Sequence, residues 1–417
     1  MVNNQYRGMT SVELVFIIMI IIVFIHPLVN MMFSFTSILF IELIYTLFVI
    51  KRDVSLQKMI ILNILLVVLI AIMYTFFTSG VVVSDAVSNK HLKTFVTTFS
   101  QYFNIFFPIV LFTRVNSFAT IKQKRILYFI FLFIYLLVSF LTLKEISENP
   151  RIAKMGMGQS EEVNGATVGG YVFVISVPFL VVSFAFLLKS IQRKIVKLFF
   201  IFLILFFLYF LIKAQYSISF LAALIGLSSV LYLNSNKVLR VVLLFFLPVL
   251  FLMIPIMLNS FIDILDDGDT KLRMQELYVF FTTGDMGEDD LNARIQLYRM
   301  AIEAFFDKPI FGNYHLNFNS HSTILEMFAA NGLLGGIVLL VLFINSFSYI
   351  RYITGLKSAF TPLVWTFLFI AFTNPIHSSL PINMVMWFYS PLVYTLFMIE
   401  YKVESGSDLE NYENYTD

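Results

Sequence analysis

The residues whose types and spacing could do chemistry lie between positions 292 and 322. Asn292-Ala-Arg294-Ile-Gln-Leu-Tyr298-Arg299 opens a helical pattern, Lys308-Pro-Ile-Phe-Gly312 closes it, and His321-Ser322 follows. The planar fork of an arginine grips phosphate oxygens bidentately. Arg294 falls on the edge of an apolar stripe. There it could hold an anionic partner at a membrane surface, or simply snorkel, with its stem along lipid and its head at the interface. His321 falls at the start of a helix expected over 322–330. The positive end of the helix dipole favours a neutral imidazole there, and a neutral imidazole can accept a proton. The alternative is a polar cap on the helix. Glu326 lies one turn after Ser322 inside an apolar run. It is expected to avoid lipid, where a carboxylate costs about 3 kcal/mol, and to orient or pair with a neighbour. Lys213 ends another apolar run, where phosphate binding and snorkelling both fit.

No metal site is expected. The chain has no Cys, which also excludes disulfides and thiol catalysis. Asp263, Asp266, Asp267 and Asp269 lack the spacing and the closing bidentate Glu of a calcium loop. They read as a solvated loop, as do Asp285, Glu288, Asp289 and Asp290.

The elements that must position these residues are membrane helices. Of 417 residues, 59% are hydrophobic and only 13% charged, against about 25% charged in a soluble domain. Apolar runs of about twenty residues match the thickness of a bilayer core. A β-barrel would show alternating strands instead. A net charge of +2 gives no reason to expect nucleic acid as a partner. The expected fold is an all-α polytopic membrane protein with about twelve transmembrane helices, at roughly 12–30, 33–50, 59–79, 95–113, 126–143, 169–188, 198–212, 216–233, 241–258, 323–350, 360–376 and 383–400. The first stretch lacks a small-residue cleavage site and reads as a retained span.

Cytoplasmic loops carry an excess of Lys and Arg. The side holding both termini has Lys51, Arg52, Arg114, Lys122, Lys124, Arg125, Lys189, Arg193, Lys194 and Lys197, so both termini are expected in the cytoplasm. The chain then divides into spans one to nine (1–258), a large external loop between spans nine and ten (259–320), spans ten to twelve (321–400) and an acidic cytoplasmic tail (401–417). The glycine-bearing segment 144–170 and the turn Asn374-Pro-Ile-His377-Ser face the same external side. Glu13 and Glu42 are expected near span ends, within reach of water. His26 and His377 are further ionisable groups at membrane level.

Within the long loop, Leu291, Ile295, Tyr298, Ile302, Phe305 and Phe306 recur at helical spacing and predict a membrane-facing stripe. Asp289-Asp290 offers a cap at the start, and Pro309 ends the pattern. Asn292, Gln296, Arg299 and Glu303 gather on another face. Asn331-Gly332 and Gly335-Gly336 allow close helix approach.

These features resemble the superfamily of O-antigen ligases and Wzy-type O-antigen and capsular polysaccharide polymerases. The Arg294-led helix ending in Pro309-Ile-Phe-Gly312, then His321-Ser322 followed by Gly332-Leu-Leu-Gly-Gly336, carry the resemblance, together with a late external loop. The resemblance implies a metal-independent, inverting glycosyl transfer outside a bacterial cytoplasmic membrane, without a cofactor. Donor and acceptor are lipid-linked oligosaccharides, the donor on undecaprenyl pyrophosphate, and a chain-length regulator is a further implied partner. Arg294, with Lys213 and Arg299, would bind the pyrophosphate. His321 would activate the acceptor hydroxyl, with Ser322, Glu326 and Tyr298 in support. Family members often carry Ser-Arg at the external start of span eight. Here Tyr216-Ser217 stands in that place, and Lys213 is the cation nearest to it in sequence. The expected activity is that of a polymerase. The alternatives are a ligase with the same donor, or a flippase for it.

Overall fold

The computed structural model describes residues 9–26, 35–52, 54–78, 86–148, 169–214, 216–242, 290–313, 322–355, 360–374, 376 and 379–404, with short helical pieces between 253 and 282. The described residues are all-helical. In chain order the helices are α1 (Ser11–Ile25), α2 (Phe35–Arg52), α3 (Val54–Thr78), α4 (Ala86–Phe118), α5 (Ile121–Glu148), α6 (Tyr171–Leu187), α7 (Lys194–Lys213), α8 (Ser217–Asn234), α9 (Asp290–Asp307), α10 (Thr323–Thr354) and α11 (Phe360–Thr373). The last run is α12 (Leu380–Asn383), a π-helical stretch (Met384–Tyr389) and α13 (Ser390–Glu404).

Among the described residues, five helices are long and apolar enough to cross a membrane: Phe95–Phe118, Ile121–Ser147, Lys194–Lys213, Thr323–Thr354 and Leu380–Phe397. Shorter apolar helices accompany them at six of the other expected spans. The expected span at 241–258 and the acidic tail lie largely outside the described residues. So do most of the segment 144–170 and the turn between the first two spans. Inside the expected long loop, residues 271–272, 274–275, 278–279 and 282 are helical.

Helix α7 shows how a uniformly apolar helix sorts its faces. Ile195, Leu198, Phe202, Leu205, Tyr209 and Ile212 are exposed at three- and four-residue spacing, while Phe200, Leu203, Phe207 and Phe210 are buried. Both faces are hydrophobic, so only packing distinguishes them. The π-helical stretch is wholly buried. Its Tyr389 ring stacks on Phe131 at 4.1 Å and on Tyr128 at 5.7 Å, which joins it to α5.

Four charged residues depart from expectation. Glu13 does not reach water. Its Oε1 and Oε2 accept from Arg114 Nε at 2.7 Å and Nη2 at 3.1 Å, with side-chain exposures of 4% and 2%. Arg114 is thus a buried member of α4 rather than a loop cation, and it also stacks over Phe118 at 3.9 Å. Glu42 is fully buried as well, on the face of α2 that carries Tyr45 and Val49. Lys124, counted with the loop cations, is buried at the start of α5. Its Nζ donates to the Asn116 carbonyl at 2.9 Å and to Asn116 Oδ1 at 3.1 Å.

The feature that positions the site is a break in α10. Gly332 has φ 61° and ψ −160°, so the helix kinks there. A kink frees backbone groups that must find partners in an apolar interior. The turn after α9 supplies them. The Leu333 N–H donates to the Pro309 carbonyl at 2.7 Å and the Leu334 N–H to the Ile310 carbonyl at 3.3 Å. The Asn313 N–H donates to the Ala329 carbonyl at 2.8 Å. The turn contains Gly312 at φ 79°. A Cβ on Gly312 would collide with the Ala330 carbonyl, and one on Gly332 with the Ile310 carbonyl. Both glycines are therefore required by left-handed backbone and by direct backbone contact.

Two stability measurements follow. Gly312→Ala and Gly332→Ala should each destabilise the chain by at least about 1–3 kcal/mol, the cost of such backbone strain, as read by thermal unfolding in detergent. Pro309→Ala keeps the accepting carbonyl and should cost less than either. Arg114→Met strands a buried carboxylate and should cost about 3–5 kcal/mol. Adding Glu13→Met should recover most of that loss. Equal melting of Arg114→Met and the wild type would show the pair to be dispensable.

Candidate functional site

The site is built on α9 and on the start of α10. Helix α9 packs through small residues: Ala301 and Ala304 meet Ala329 and Leu325 of α10. Beside them, the Phe305 ring meets Phe328 edge-on at 5.9 Å. The apolar stripe read from sequence is therefore split. Phe305 turns inward, whereas Ile302 and Phe306 are 44% and 72% exposed. The packing face is shifted toward the alanines, which a stripe weighted by side-chain size passes over.

This shift changes the place of Arg294. Seven residues before Ala301, it falls within about 20° of the same face at 100° per residue. Position 294 thus falls on the face of α9 that carries Ala301. The Arg294 side chain is outside the described residues. Contacts along the pair run in parallel, from Ala301 and Leu325, through Phe305 and Phe328, to Gly312 and Gly332. Seven residues of helix span about 10 Å, whereas only two residues separate Leu325 from the start of α10 at Thr323, so position 294 lies beyond that start along the axis.

The start of α10 is fixed by Ser322, whose Oγ accepts from the Leu325 N–H at 3.2 Å. Ser322 is the cap, so the first turn begins at Thr323 and position 321 precedes the cap. His321 itself lies outside the described residues. Glu326 is in that first turn, half-buried, with its N–H donating to the Ser322 carbonyl at 2.9 Å. A carboxylate there is favourably placed toward the helix dipole.

A hydrogen-bonded group with little local signal in the sequence anchors this helix start. The Asn374 carbonyl accepts from the Thr323 N–H at 3.3 Å and from Thr323 Oγ1 at 3.1 Å. Thr323 Oγ1 accepts from the Ile376 N–H at 2.7 Å. Tyr216 donates its hydroxyl to Asn374 Oδ1 at 3.0 Å. Ser322 Oγ donates to the Ala371 carbonyl at 3.4 Å. Ser322, Thr323, Asn374 and Ile376 are all buried. The Asn374-Pro turn was visible in sequence. Its partners were not, because 51 residues separate Asn374 from Thr323 and 158 separate it from Tyr216.

The remaining expected site residues are placed less centrally. Lys213 is exposed in the last turn of α7, with Nζ 6.0 Å from the Tyr209 ring. It suits the negative end of the helix dipole as well as a bound anion. Arg299 is paired with Glu303 at 2.9 Å, and the two side chains are 79% and 62% exposed. Tyr298 is half-buried. His377 is outside the described residues, one position after Ile376. Among the described residues, no cluster of His, Asp or Glu could hold a metal ion.

No curated protein matches the chain. A family model described as O-antigen ligase matches residues 200–313. The matched stretch begins in α7 and includes Lys213, Tyr216, position 294 and the Pro309–Gly312 turn, and it ends before His321. Over residues 200–313 the chain is thus similar to the O-antigen ligase family.

Proposed function

We propose that the chain is a bacterial membrane polysaccharide polymerase that joins undecaprenyl-pyrophosphate-linked repeat units into capsular polysaccharide or O-antigen. A hydroxyl oxygen of the acceptor unit attacks the anomeric carbon of the donor sugar. The bond from that carbon to the pyrophosphate breaks, and the lipid pyrophosphate leaves with the bonding electrons. The configuration at the carbon inverts. His321 takes the proton from the attacking hydroxyl, and Arg294 holds the leaving group where negative charge develops. Lys213 is the second cation of this reading, and Ser322 and Glu326 shape the start of the helix that follows His321. Arg299, already paired with Glu303, contributes at most long-range charge.

The observation that carries this reading is the docking of α9 along α10. Position 294 stands on the face of α9 that carries Ala301, and the capped start of α10 follows directly on His321 in the chain. This reading assigns the cation to α9 and the base to the residue before the cap of α10, two elements that meet at one backbone-to-backbone joint. The ligase reading keeps the same chemistry with a different acceptor, and the family match at residues 200–313 does not separate the two.

His321→Ala should lower activity by about 10²–10⁴, the usual worth of a general base, with expression unchanged. Near-normal polymer would make His321 a cap residue. Arg294→Lys should be severely impaired, because the ammonium keeps the charge but loses the fork, while Arg299→Lys should be mild. Size profiling of glycan from a deletion strain decides among the function classes. Loss of a polymerase removes the high-molecular-weight ladder and leaves single attached units. Loss of a ligase leaves long polymer on the lipid carrier, and loss of a flippase traps single units on the inner leaflet.

A further inference from the structure

The place where related chains often carry Ser-Arg is filled here by Tyr216, and its hydroxyl is committed inside the protein. It donates to Asn374 Oδ1 at 3.0 Å from the entry to α8. Asn374, at the end of α11, receives Thr323 twice through its own carbonyl. Thr323 in turn receives the Ile376 N–H. Three separate helix ends are thereby tied at one point, and that point is the first residue of α10. Only Ser322 lies between Thr323 and His321 in the chain, and Ser322 is itself bound to the Ala371 carbonyl.

We infer that Tyr216 is a positioning residue: acting through Asn374, it sets the first turn of α10 and so the place of His321. A tyrosine at this position also means that the entry to α8 contributes no cation to the leaving group. Its role is to hold the base-bearing strand of the site, and this role rests on the reading of His321 as the base. The hydrogen bond is buried, so no water replaces the donor when the hydroxyl is removed. Asn374 Oδ1 is then left without its partner in a dry setting.

The test uses the full chain purified in detergent, with Tyr216→Phe, Asn374→Ala and the double variant. Tyr216→Phe keeps the ring and its packing. Turnover of lipid-linked repeat units should fall about 2- to 12-fold, the net worth of one hydrogen bond, with the donor KM unchanged. Hydrogen exchange should accelerate at the peptides carrying the Thr323 and Ile376 amides. The double variant should be no slower than Asn374→Ala alone, because the tyrosine acts through the asparagine. Multiplying losses, or a raised KM with unchanged exchange, would mean that Tyr216 contacts substrate directly and would overturn the inference. Wild-type turnover and exchange in Tyr216→Phe would overturn it as well. A wild-type protein that makes no polymer would defeat the polymerase reading alone, and the exchange measurement would still decide the link from Tyr216 to α10.

Discussion

A helix broken inside an apolar bundle must have its freed backbone groups satisfied, and this requirement governs the arrangement around Gly332. The kink leaves two N–H groups without their usual carbonyls and one carbonyl without its usual donor. In hydrocarbon each orphan costs several kilocalories per mole. The Pro309–Asn313 turn meets all three with its own backbone. It can approach closely enough because Gly312 and Gly332 both lack a Cβ at the point of contact. Side chains contribute little to this joint, so its geometry is fixed by the peptide groups themselves.

From that joint the two functional helices extend side by side. Helix α9 leans on α10 through alanines, so the axes come close and a small rotation of one would be felt by the other. The far end of α10 is held separately, by Thr323, Asn374 and Tyr216. The segment from Ser322 to Gly332 is thus fixed at both ends, once by backbone docking and once by a polar knot. A rigid strut of this kind suits a site that must hold its groups at fixed distances.

Much of the fold was legible in sequence, because apolar runs of bilayer length announce helices whatever their neighbours are. The Arg294 helix, its proline stop and the capped helix after His321 were legible for the same reason: capping and breaking are local. What could not be read was pairing. Glu13 looked like a residue near water because its partner lies 101 positions away. Ala301 and Ala304 looked neutral, although small size is what admits a close neighbour. Tyr216 looked like a missing cation, since only the folded chain reveals Asn374 beside it. The turn of π-helix at Met384–Tyr389 left no mark in a segment that is apolar on every side.

The buried pair of Glu13 and Arg114 has a consequence for how the chain is made. At about 5–20 residues per second, the 101 residues between the partners take about 5–20 s to synthesise. During that interval the first hydrophobic helix carries a carboxylate whose guanidinium does not yet exist. It must wait at the margin of the bilayer, protonated or shielded by the insertion machinery, until the fourth helix arrives. Entry of α1 into its final depth therefore waits for α4.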